Sequence, residues 1–477
     1  MDNEKFRLES DSVGEKQVPI DALYGVQTLR GHDNFQITGL TLHPAMVKAL
    51  AEIKKACAIA NCKAGVLDAD KAEAIEKACD EIIEGKYHEA FFTDPVQGGA
   101  GTTANMNANE VIANIAEIKM GGVAGEYKFV HPNDHVNMGQ STNDVYPTSG
   151  KLGAIELANK MLAELEELIS SLDKKAVEFD GIVKMGRTQL QDAVPIRLGQ
   201  EFRAYKDALS RDVKRINYAL DGIKVVNMGA SAIGTGINVD TKYLELIVPE
   251  LNKITGYELS QAEDLVDGTQ NLDALLFLSG ALKAMAMTLS KMSNDLRLMS
   301  SGPKTGIGEI NLPAKQNGSS IMPGKINPVI PEVVTQVAYL VAGNDVTITM
   351  CAEAGQLELN AFEPVLFKSL YESIETLTGA MNTLRINCIE GITANEKRIE
   401  ELLNASVGMV TALAPHIGYK NAASIAKESL KTGESVKSIV LRDKILDEKD
   451  FNEIMNPMEL TKPGIAAKHL LDEKNSK

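Results

Sequence analysis

The chain has 477 residues, of which 44% are hydrophobic, and a formal net charge of −16 with a pI of about 5.1. This composition excludes wholesale disorder, and the length allows roughly two to four domains with a large core. The acidic balance argues against a nucleic-acid partner, because a surface that follows phosphates needs clustered Lys and Arg. It is compatible with a small anionic substrate, since one pocket can be locally positive on an acidic protein.

The sequence gives no sign of a secretory or membrane segment. It begins Met-Asp-Asn-Glu-Lys without an apolar signal core, and no uncharged apolar run reaches the roughly 18 residues of a membrane span. We therefore expect a cytoplasmic protein without a membrane partner. An odd number of cysteines without CxxC spacing favours free buried thiols in a reducing compartment; they are Cys57, Cys62, Cys79, Cys351 and Cys388.

In chain order, residues 1–40 are expected to be extended or irregular, and long helices follow. Apolar residues at alternating steps of three and four predict a helix from Ile155 to Ala176, and the same heptad spacing recurs from Leu275 to Met299. Strand signals are few and short. Further helices are predicted over Glu201–Val225, from Pro331 past Val341 (proline suits the first helical turn) and over Glu363–Asn387.

The helix from Leu275 predicts how the chain assembles. Phe277, Ala281, Ala284 and Met287 make it apolar on further faces, so it should be buried on several sides. Such helices, roughly 40 Å long for about 27 residues, suggest a bundle whose core is completed by other subunits. Composition shifts near residues 141 and 395, which predicts a mixed N-terminal domain (1–141), a central helical bundle (142–395) and a small C-terminal helical domain (396–477).

Two glycine-rich stretches invite common motifs and fail them. Gly318 and Gly324 are separated by five residues, and Ile326 follows Lys325, whereas a phosphate-binding loop needs four residues and then Ser or Thr. The stretch Gly229–Gly236 follows a helical pattern rather than a strand, so a turn between helices is favoured over a dinucleotide site.

Four polar segments remain, separated by long helices. Helix caps and turns explain the Ser, Thr, Asn and Gly of any one segment. Together they share many neutral hydrogen-bond donors and few cations, which suits the binding of carboxylates. The segments are Gly98–Asn109, Gln140–Asp144, Gly186–Asp192 and Gly318–Pro328.

These segments resemble the active-site regions of the fumarase/aspartase superfamily. The stretch GSSIMPGKINP at Gly318–Pro328 resembles its signature, and the likeness runs from Tyr24–Thr28 into the C-terminal domain. The resemblance implies a mainly α, three-domain fold with a central long-helix bundle that forms the core of a homotetramer. It also implies sites assembled from segments of three subunits, which would explain why the polar segments lie so far apart.

Within the superfamily the chain resembles the ammonia-lyases of aspartate more than the class II fumarases. Fumarases typically read QSSND where this chain has Thr142 in the third position, and they carry His where it has Gln189. The aspartase pattern GQxxLNxxEPV matches Gly355–Val365. An amide cannot shuttle protons near pH 7, but aspartate's ammonium already carries the proton with which ammonia leaves, so Gln189 suits loss of ammonia better than loss of hydroxide.

The resemblance implies reversible conversion of L-aspartate to fumarate and ammonia, with loss of a C3 proton and an enediolate intermediate. It assigns the base to Ser319, whose oxyanion Lys325 and backbone N–H groups would stabilise. The loop is expected to close over substrate, with Gly318 and Gly324 as hinges. The implied binding residues are Thr102, Ser141, Thr142 and Ser320 for the reacting carboxylate, Thr188, Lys325 and Asn327 for the other carboxylate, and Asn143 with Gln189 for the ammonium group.

Two further features have competing interpretations. The resemblance places Glu332 behind position 189 as an orienting residue, but a carboxylate there equally suits the positive N-terminus of a helix. His131–Asp134 resembles the region of a second, non-catalytic carboxylate site in fumarases. His131 and His135 flank Pro132 without a third ligand, which favours ordinary loop histidines over a metal site. The resemblance implies no required cofactor, although a divalent cation such as Mg²⁺ activates some aspartases.

The alternatives are a class II fumarase or another lyase of the superfamily, and a non-catalytic helical scaffold. A bulky N-substituted succinyl substrate would need a different pocket and ranks below these. A scaffold that had lost activity would be expected to have lost some of the implied site residues, and all are present.

Overall fold

The computed structural model describes residues 6–475, and the chain is mainly α, as its periodicity predicts. The helices are α1 (Val26–Asn34), α2 (Pro44–Ala64), α3 (Ala69–Ile83), α4 (Thr102–Lys119), α5 (Thr142–Glu178), α6 (Leu198–Ile223), α7 (Thr241–Thr255), α8 (Leu265–Gln270), α9 (Asp273–Met299), α10 (Val329–Glu353), α11 (Glu363–Asn387), α12 (Glu396–Ala405), α13 (Ala414–Ile417), α14 (Tyr419–Thr432), α15 (Val436–Arg442), α16 (Glu448–Ile454) and α17 (Lys468–Asn475).

The strands are short and pair two by two. They are β1 (Phe6–Asp11), β2 (Gly14–Pro19), β3 (Val183–Thr188), β4 (Gln191–Arg197), β5 (Val225–Val226), β6 (Ser260–Gln261), β7 (Ile310–Asn311) and β8 (Thr393–Ala394). β1–β2 and β3–β4 are antiparallel hairpins, β5–β6 is a parallel pair, and β7–β8 is antiparallel.

The predicted long helices are present, and α11 begins and ends at the predicted residues. In contrast, α5 begins at Thr142, 13 residues before the predicted start at Ile155, and α10 begins at Val329, two residues before Pro331. The heptad positions of α9 from Leu275 to Leu296 are almost fully buried. The sequence predicts that α9 is buried on several sides, and this is not so in the single chain. Phe277 is 54% exposed and Met287 is 40% exposed. One side of this helix therefore presents apolar surface that the chain itself does not cover.

The described residues divide into two compact units, each with its own internal contacts. The first contains the chain up to Ala163 together with Asp212–Met287 and Val337–Gly379. The second contains Glu164–Arg211, Thr288–Gln336 and the chain from Ala380 onward.

The N-terminal region is more regular than the sequence suggests. Besides the β1–β2 hairpin it contains α1, whose first turn lacks a cap from its own side chains. Glu110, on α4, provides one instead: its carboxylate accepts from the backbone N–H of Gly25, Gln27 and Thr28 at 2.9 to 3.0 Å. The expectation of irregular structure up to residue 40 was wrong for α1 because the residue that caps this helix lies about 80 positions away.

Among the described helices, α9 alone is long and apolar enough to cross a membrane. A buried core helix can be as long and as apolar as a membrane span, and the buried heptad face of α9 identifies it as a core helix. All five cysteines are free thiols, and four of them are buried.

Candidate active site

The segment Gln140–Asp144 is fixed to its surroundings by one buried carboxylate. Asp144, in the first turn of α5, is fully buried and accepts a hydrogen bond from the Ser141 backbone N–H at 3.0 Å. It also accepts from the backbone N–H groups of Gly229 and Ser231, both at 3.2 Å. Burial raises the pKa of Asp144 to about 6, against the opposing effect of these donors and of the Lys54 charge. The glycine-rich stretch after β5 thus anchors the start of α5 rather than binding a nucleotide.

The three side chains of this segment lie at different depths. Thr142 is 9% exposed, and its hydroxyl accepts from Asn105 Nδ2 at 3.2 Å. The Ser141 hydroxyl is half-buried and accepts from the Asn143 backbone N–H at 3.2 Å. Asn143 donates through Nδ2 to the Ala232 carbonyl at 2.7 Å. The segment therefore holds two hydroxyls and one amide in fixed positions, each still able to donate or accept toward a ligand.

A buried lysine lies beneath this segment, and no local sequence pattern predicted it. Lys54 on α2 is fully buried, and its ammonium donates to Gln140 Oε1 at 2.8 Å and to Asn137 Oδ1 at 3.1 Å. Asn137 Oδ1 also accepts from the amides of Asn105 and Asn109. Lys54 and Lys55 are adjacent on the helix, and nothing in the local sequence indicates which of them is buried.

Thr102 begins α4 and is exposed in the single chain. Its hydroxyl donates to the Gly99 carbonyl at 2.7 Å. Gly101, which precedes it, has φ +87°, and a side chain there would meet the ring of Tyr146 at 2.4 Å, so this approach requires glycine. Thr102 lines a cleft of about 840 Å³. The same cleft is lined by His131, Pro132 and Asn133 of the segment His131–Asp134.

The segment His131–Asp134 forms a tight turn at the edge of this cleft. Residues Pro132–Val136 adopt a single π-helical turn, and the backbone N–H of His131 donates to His135 Nδ1 at 2.8 Å. Burial, with the nearby Lys71 charge, lowers the pKa of His135. In the described part of the chain no group of three or more His, Cys, Asp or Glu side chains is arranged to hold a metal ion.

Thr188 and Gln189 lie at the tip of the β3–β4 hairpin, which the sequence did not predict. Thr188 pairs with Gln191, and the turn between them consists of Gln189 and Leu190 with φ of +54° and +62°. Two consecutive positive φ values suit the right-handed twist of a two-residue hairpin, but residues other than Gly and Asn adopt them rarely. All three residues from Thr188 to Leu190 are exposed, so a strained turn presents a threonine and an amide to solvent.

Buried ion pairs hold the base of this hairpin. Glu309, with a fully buried side chain, accepts from Arg187 NH1 at 2.8 Å and pairs with Lys184 Nζ at 3.2 Å. Lys184 also pairs with Glu201 at 2.9 Å. Burial raises the pKa of Glu201, and the Lys184 charge opposes the shift. Glu309 is a supporting residue that no motif indicated, because it lies about 120 positions from the hairpin.

The segment Gly318–Pro328 is a loop that closes on itself. The Gly318 N–H donates to the Lys325 carbonyl at 2.9 Å, and Asn327 Nδ2 donates to the Gly318 carbonyl at 2.7 Å. Within the loop, the Ser319 hydroxyl oxygen accepts from the backbone N–H groups of Ile321 and Met322, at 3.2 and 3.0 Å. A side chain at Gly318 would meet the Lys325 carbonyl oxygen at 2.5 Å, so the closure requires glycine.

The remaining predicted residues of this loop face solvent in the single chain. Ser320 and Lys325 are exposed, and the Lys325 ammonium forms no ion pair within the described residues. Glu332 lies in the first turn of α10, where a carboxylate also favours the helix N-terminus. The roles given to these residues stay predictions.

The predicted site residues thus fall into two groups. Thr102 and Ser141–Asn143 belong to the first compact unit, where Ser141 and Thr142 share one anchored segment. Thr188, Gln189, Glu332 and the loop that carries Ser319 belong to the second. Most of these side chains are exposed or half-buried in the single chain.

Comparison with known proteins agrees with this arrangement of segments. Residues 14–343 match the family described as "Lyase", and residues 409–462 match "Fumarase C C-terminus". The aspartate ammonia-lyase of Bacillus subtilis is 51% identical over 98% of this chain and 99% of its own length. The aspartate ammonia-lyase of Pseudomonas aeruginosa is 52% identical over 96% and 98%.

The fold agrees as well. A crystal structure of a fumarate lyase:delta crystallin from Brucella melitensis, bound to cobalt, superposes with a TM-score of 0.94. It is 48% identical and covers 96% of this chain and 100% of its own. The chain therefore belongs to the lyase family that contains the fumarases and aspartases, and within it to the aspartate ammonia-lyases.

Proposed function

We propose that this protein converts L-aspartate reversibly to fumarate and ammonia, with Ser319 as the base. The observation that carries the proposal is about 50% identity, over nearly the whole chain, to relatives named aspartate ammonia-lyase. The geometry of the loop supports the serine mechanism. Its test is a substrate assay combined with variants of the loop.

The Ser319 hydroxyl is a weak acid, and the loop provides what an alkoxide needs. Two backbone N–H groups already point at its oxygen, and these donors favour the ionised form more than the neutral one. The alkoxide takes the proton from C3, and the electron pair of the C–H bond moves into the adjacent carboxylate to give an enediolate. That pair then forms the C2–C3 double bond as the C–N bond breaks, ammonia leaves, and the carboxylate is restored. Ser319 returns to the alkoxide by losing the abstracted proton to solvent.

Stabilising the enediolate requires donors that are in place before the charge develops. Ser141 and Thr142 meet this requirement because Asp144 and Asn105 fix their positions. We assign these two, with Thr102 and Ser320, to the reacting carboxylate. Thr188, Lys325 and Asn327 would bind the second carboxylate, and Asn143 with Gln189 would bind the ammonium group.

The site is proposed to form in a homotetramer, from segments of several subunits. Large apolar side chains on α10 support an interface: Tyr339, Val346 and Met350 are 64%, 59% and 67% exposed at spacings of seven and four. Such a stripe on a long helix is typical of a face buried by a second helix. A monomer that is fully active in sedimentation would contradict this assembly.

The substrate test follows fumarate by its ultraviolet absorbance. L-aspartate should give fumarate, and fumarate with ammonia should give L-aspartate, while L-malate should give little product. Rapid turnover of malate without turnover of aspartate would show the alternative function, a fumarase.

Two further measurements test the metal requirement and the location of the enzyme. Activity that survives extensive treatment with EDTA would agree with the absence of a required metal ion, and loss of activity would contradict it. Fractionated cells should contain the activity in the cytoplasm.

A mixing experiment tests the shared sites. Ser319→Ala and Thr142→Val are each expected to keep only a small fraction of the wild-type activity as pure tetramers. If one site takes these two segments from different subunits, tetramers re-formed from a mixture contain some sites with both residues intact. Partial recovery of activity is therefore expected, and no recovery from well-assembled mixed tetramers would contradict shared sites.

A further inference from the structure

Lys54 carries an ammonium group that the mechanism above does not use. It is fully buried, and its hydrogen bonds go to two neutral amide oxygens, Asn137 Oδ1 and Gln140 Oε1. Asp144 is the carboxylate that acts on it electrostatically, and no hydrogen bond or ion pair joins the two among the residues that the structure describes. Burying a cation without a directly paired anion is costly.

The bonds of Lys54 lead directly to the carboxylate-binding segment. Gln140 precedes Ser141 in the chain, and Asn137 Oδ1 receives the amide of Asn105 at 3.2 Å. The same Asn105 amide donates to the Thr142 hydroxyl at 3.2 Å. The Lys54 ammonium therefore contacts Gln140, which precedes Ser141, and Asn137, which is bonded through Asn105 to Thr142. Ser141 and Thr142 are two of the donors assigned to the enediolate.

We propose that Lys54 is a positioning residue for the reaction, whose buried charge organises the Gln140–Thr142 segment and is balanced when a dicarboxylate binds there. The inference rests on the proposed function, since it requires an anion at that segment. Lys54 is separated from the ligand by Gln140 and Asn137, so it acts through these residues and through its electrostatic field.

The protonation of Lys54 should change when an anion binds nearby. Burial lowers its pKa to about 8, while the Cys57 and Cys79 thiols and the Asp144 carboxylate oppose that shift. The Tyr243 hydroxyl forms a hydrogen bond with the Cys57 thiol at 3.2 Å and belongs to the same cluster. A bound dianion favours the ammonium form, so binding near pH 8 should draw a proton onto the enzyme.

The direct test measures this proton in the wild-type tetramer. Fumarate, without ammonia, is titrated by calorimetry at pH 8 in two buffers of different ionisation enthalpy. The expected result is net uptake of a fraction of a proton per site at pH 8, where Lys54 is only partly protonated before fumarate binds. Fumarate binding at pH 8 without proton uptake would overturn the proposal, and this holds even if variants of Lys54 fail to fold.

Variants then assign the proton. In Lys54→Met the uptake should disappear, and if the dianion raises the pKa by about one unit, fumarate affinity and kcat/KM at pH 7 should fall about tenfold. Lys55→Met is the matched control on the same helix, because Lys55 pairs with Asp80 instead and should leave both quantities unchanged. Uptake that persists in folded Lys54→Met would overturn the proposal.

A second variant separates charge from structure. Lys54→Gln keeps a hydrogen-bond donor but carries no charge, so KM for L-aspartate should rise while the thermal unfolding temperature stays near that of the wild type. If Lys54→Gln restores the wild-type KM, the lysine acts only as a structural donor and the inference fails. Wild-type protein that neither binds fumarate nor deaminates aspartate would instead refute the proposed function.

Discussion

Two of the polar segments hold their side chains in opposite ways. Gln140–Asp144 is tied to the stretch after β5 through Asp144, to α4 through Asn105 and to α2 through Lys54. In Gly318–Asn327, the hydrogen bonds found in the described structure stay within the loop and the start of α10. The first segment is preorganised by the surrounding fold, whereas the second organises only itself.

The difference suggests a division of labour. Donors for a developing enediolate must not reorganise during the reaction, which suits an anchored segment. A base that has to reach a site and then release the product suits a loop with few external bonds, because such a loop opens at low free-energy cost. Exposed Ile321, at 83%, is an apolar side chain that closure would cover. The following predictions test this contrast, from the largest expected effect to the smallest.

Ser319→Ala should lower kcat on the order of 10⁴-fold, because a serine base acts as part of a unit and its removal abolishes the chemical step. The variant should remain a folded oligomer, since Ser319 bonds only to its own loop. Stopped and steady-state assays of fumarate formation measure the loss. The control is Ser435→Ala, which removes a hydroxyl that accepts from a backbone N–H at the start of α15. This variant should keep the wild-type kcat. Near-normal turnover by Ser319→Ala would remove this residue from the role of base.

Thr142→Val should lower kcat about 10² to 10³-fold, the range seen when one preorganised donor to an oxyanion is removed. Valine has the same shape and buries no new volume, so the loss would come from the hydroxyl and from its hydrogen bond with the Asn105 amide. Thr142→Ser keeps the hydroxyl and should stay within a few fold of the wild type. Equal activity of the Ser and Val variants would show that Thr142 only fills space.

Asp144→Asn should lower kcat/KM about tenfold to a hundredfold, because small misplacements of a site's donors have effects of this size. Asp144 has a folded-state pKa raised to about 6, so its proton is bound below that pH and its acceptor capacity is reduced there. We therefore expect kcat/KM of the wild type to fall below about pH 6, and that of Asp144→Asn to be low and flat across the same range. An acid limb that persists unchanged in the variant would assign it to another group.

Gly324→Ala should have the smallest effect, a reduction of kcat by a few fold. Gly324 has φ +79°, a conformation that costs a non-glycine residue on the order of 1 kcal/mol, although space for the methyl group is open. Because the loop bonds within itself, thermal unfolding should not change. Gly101→Ala is the contrasting variant in the first unit, since its methyl group would meet Tyr146, and it should destabilise the fold strongly. Equal stability losses in the two variants would contradict the contrast between loop and anchored segment.

Much of the fold followed from local patterns. Heptad spacing predicted the helices seen as α5 and α9, because amphipathic periodicity is carried by neighbouring residues. Pro331 indicated the first turn of α10. The left-handed turn at Gln189 was not predictable in this way. Gln and Leu disfavour positive φ, and the buried pairs of Glu309 with Lys184 and Arg187 hold the strands that impose it.

The sequence by itself determined the long helices, the four polar segments and the family, since these depend on residue type and spacing along the chain. Only the tertiary structure decided that Glu110 caps α1, that Asp144 anchors its segment to the stretch after β5, and that Lys54 rather than Lys55 is buried beneath that segment. These contacts join residues that lie far apart in the chain. Their partners are chosen by packing and by the need to satisfy buried polar groups, and no local pattern records either one.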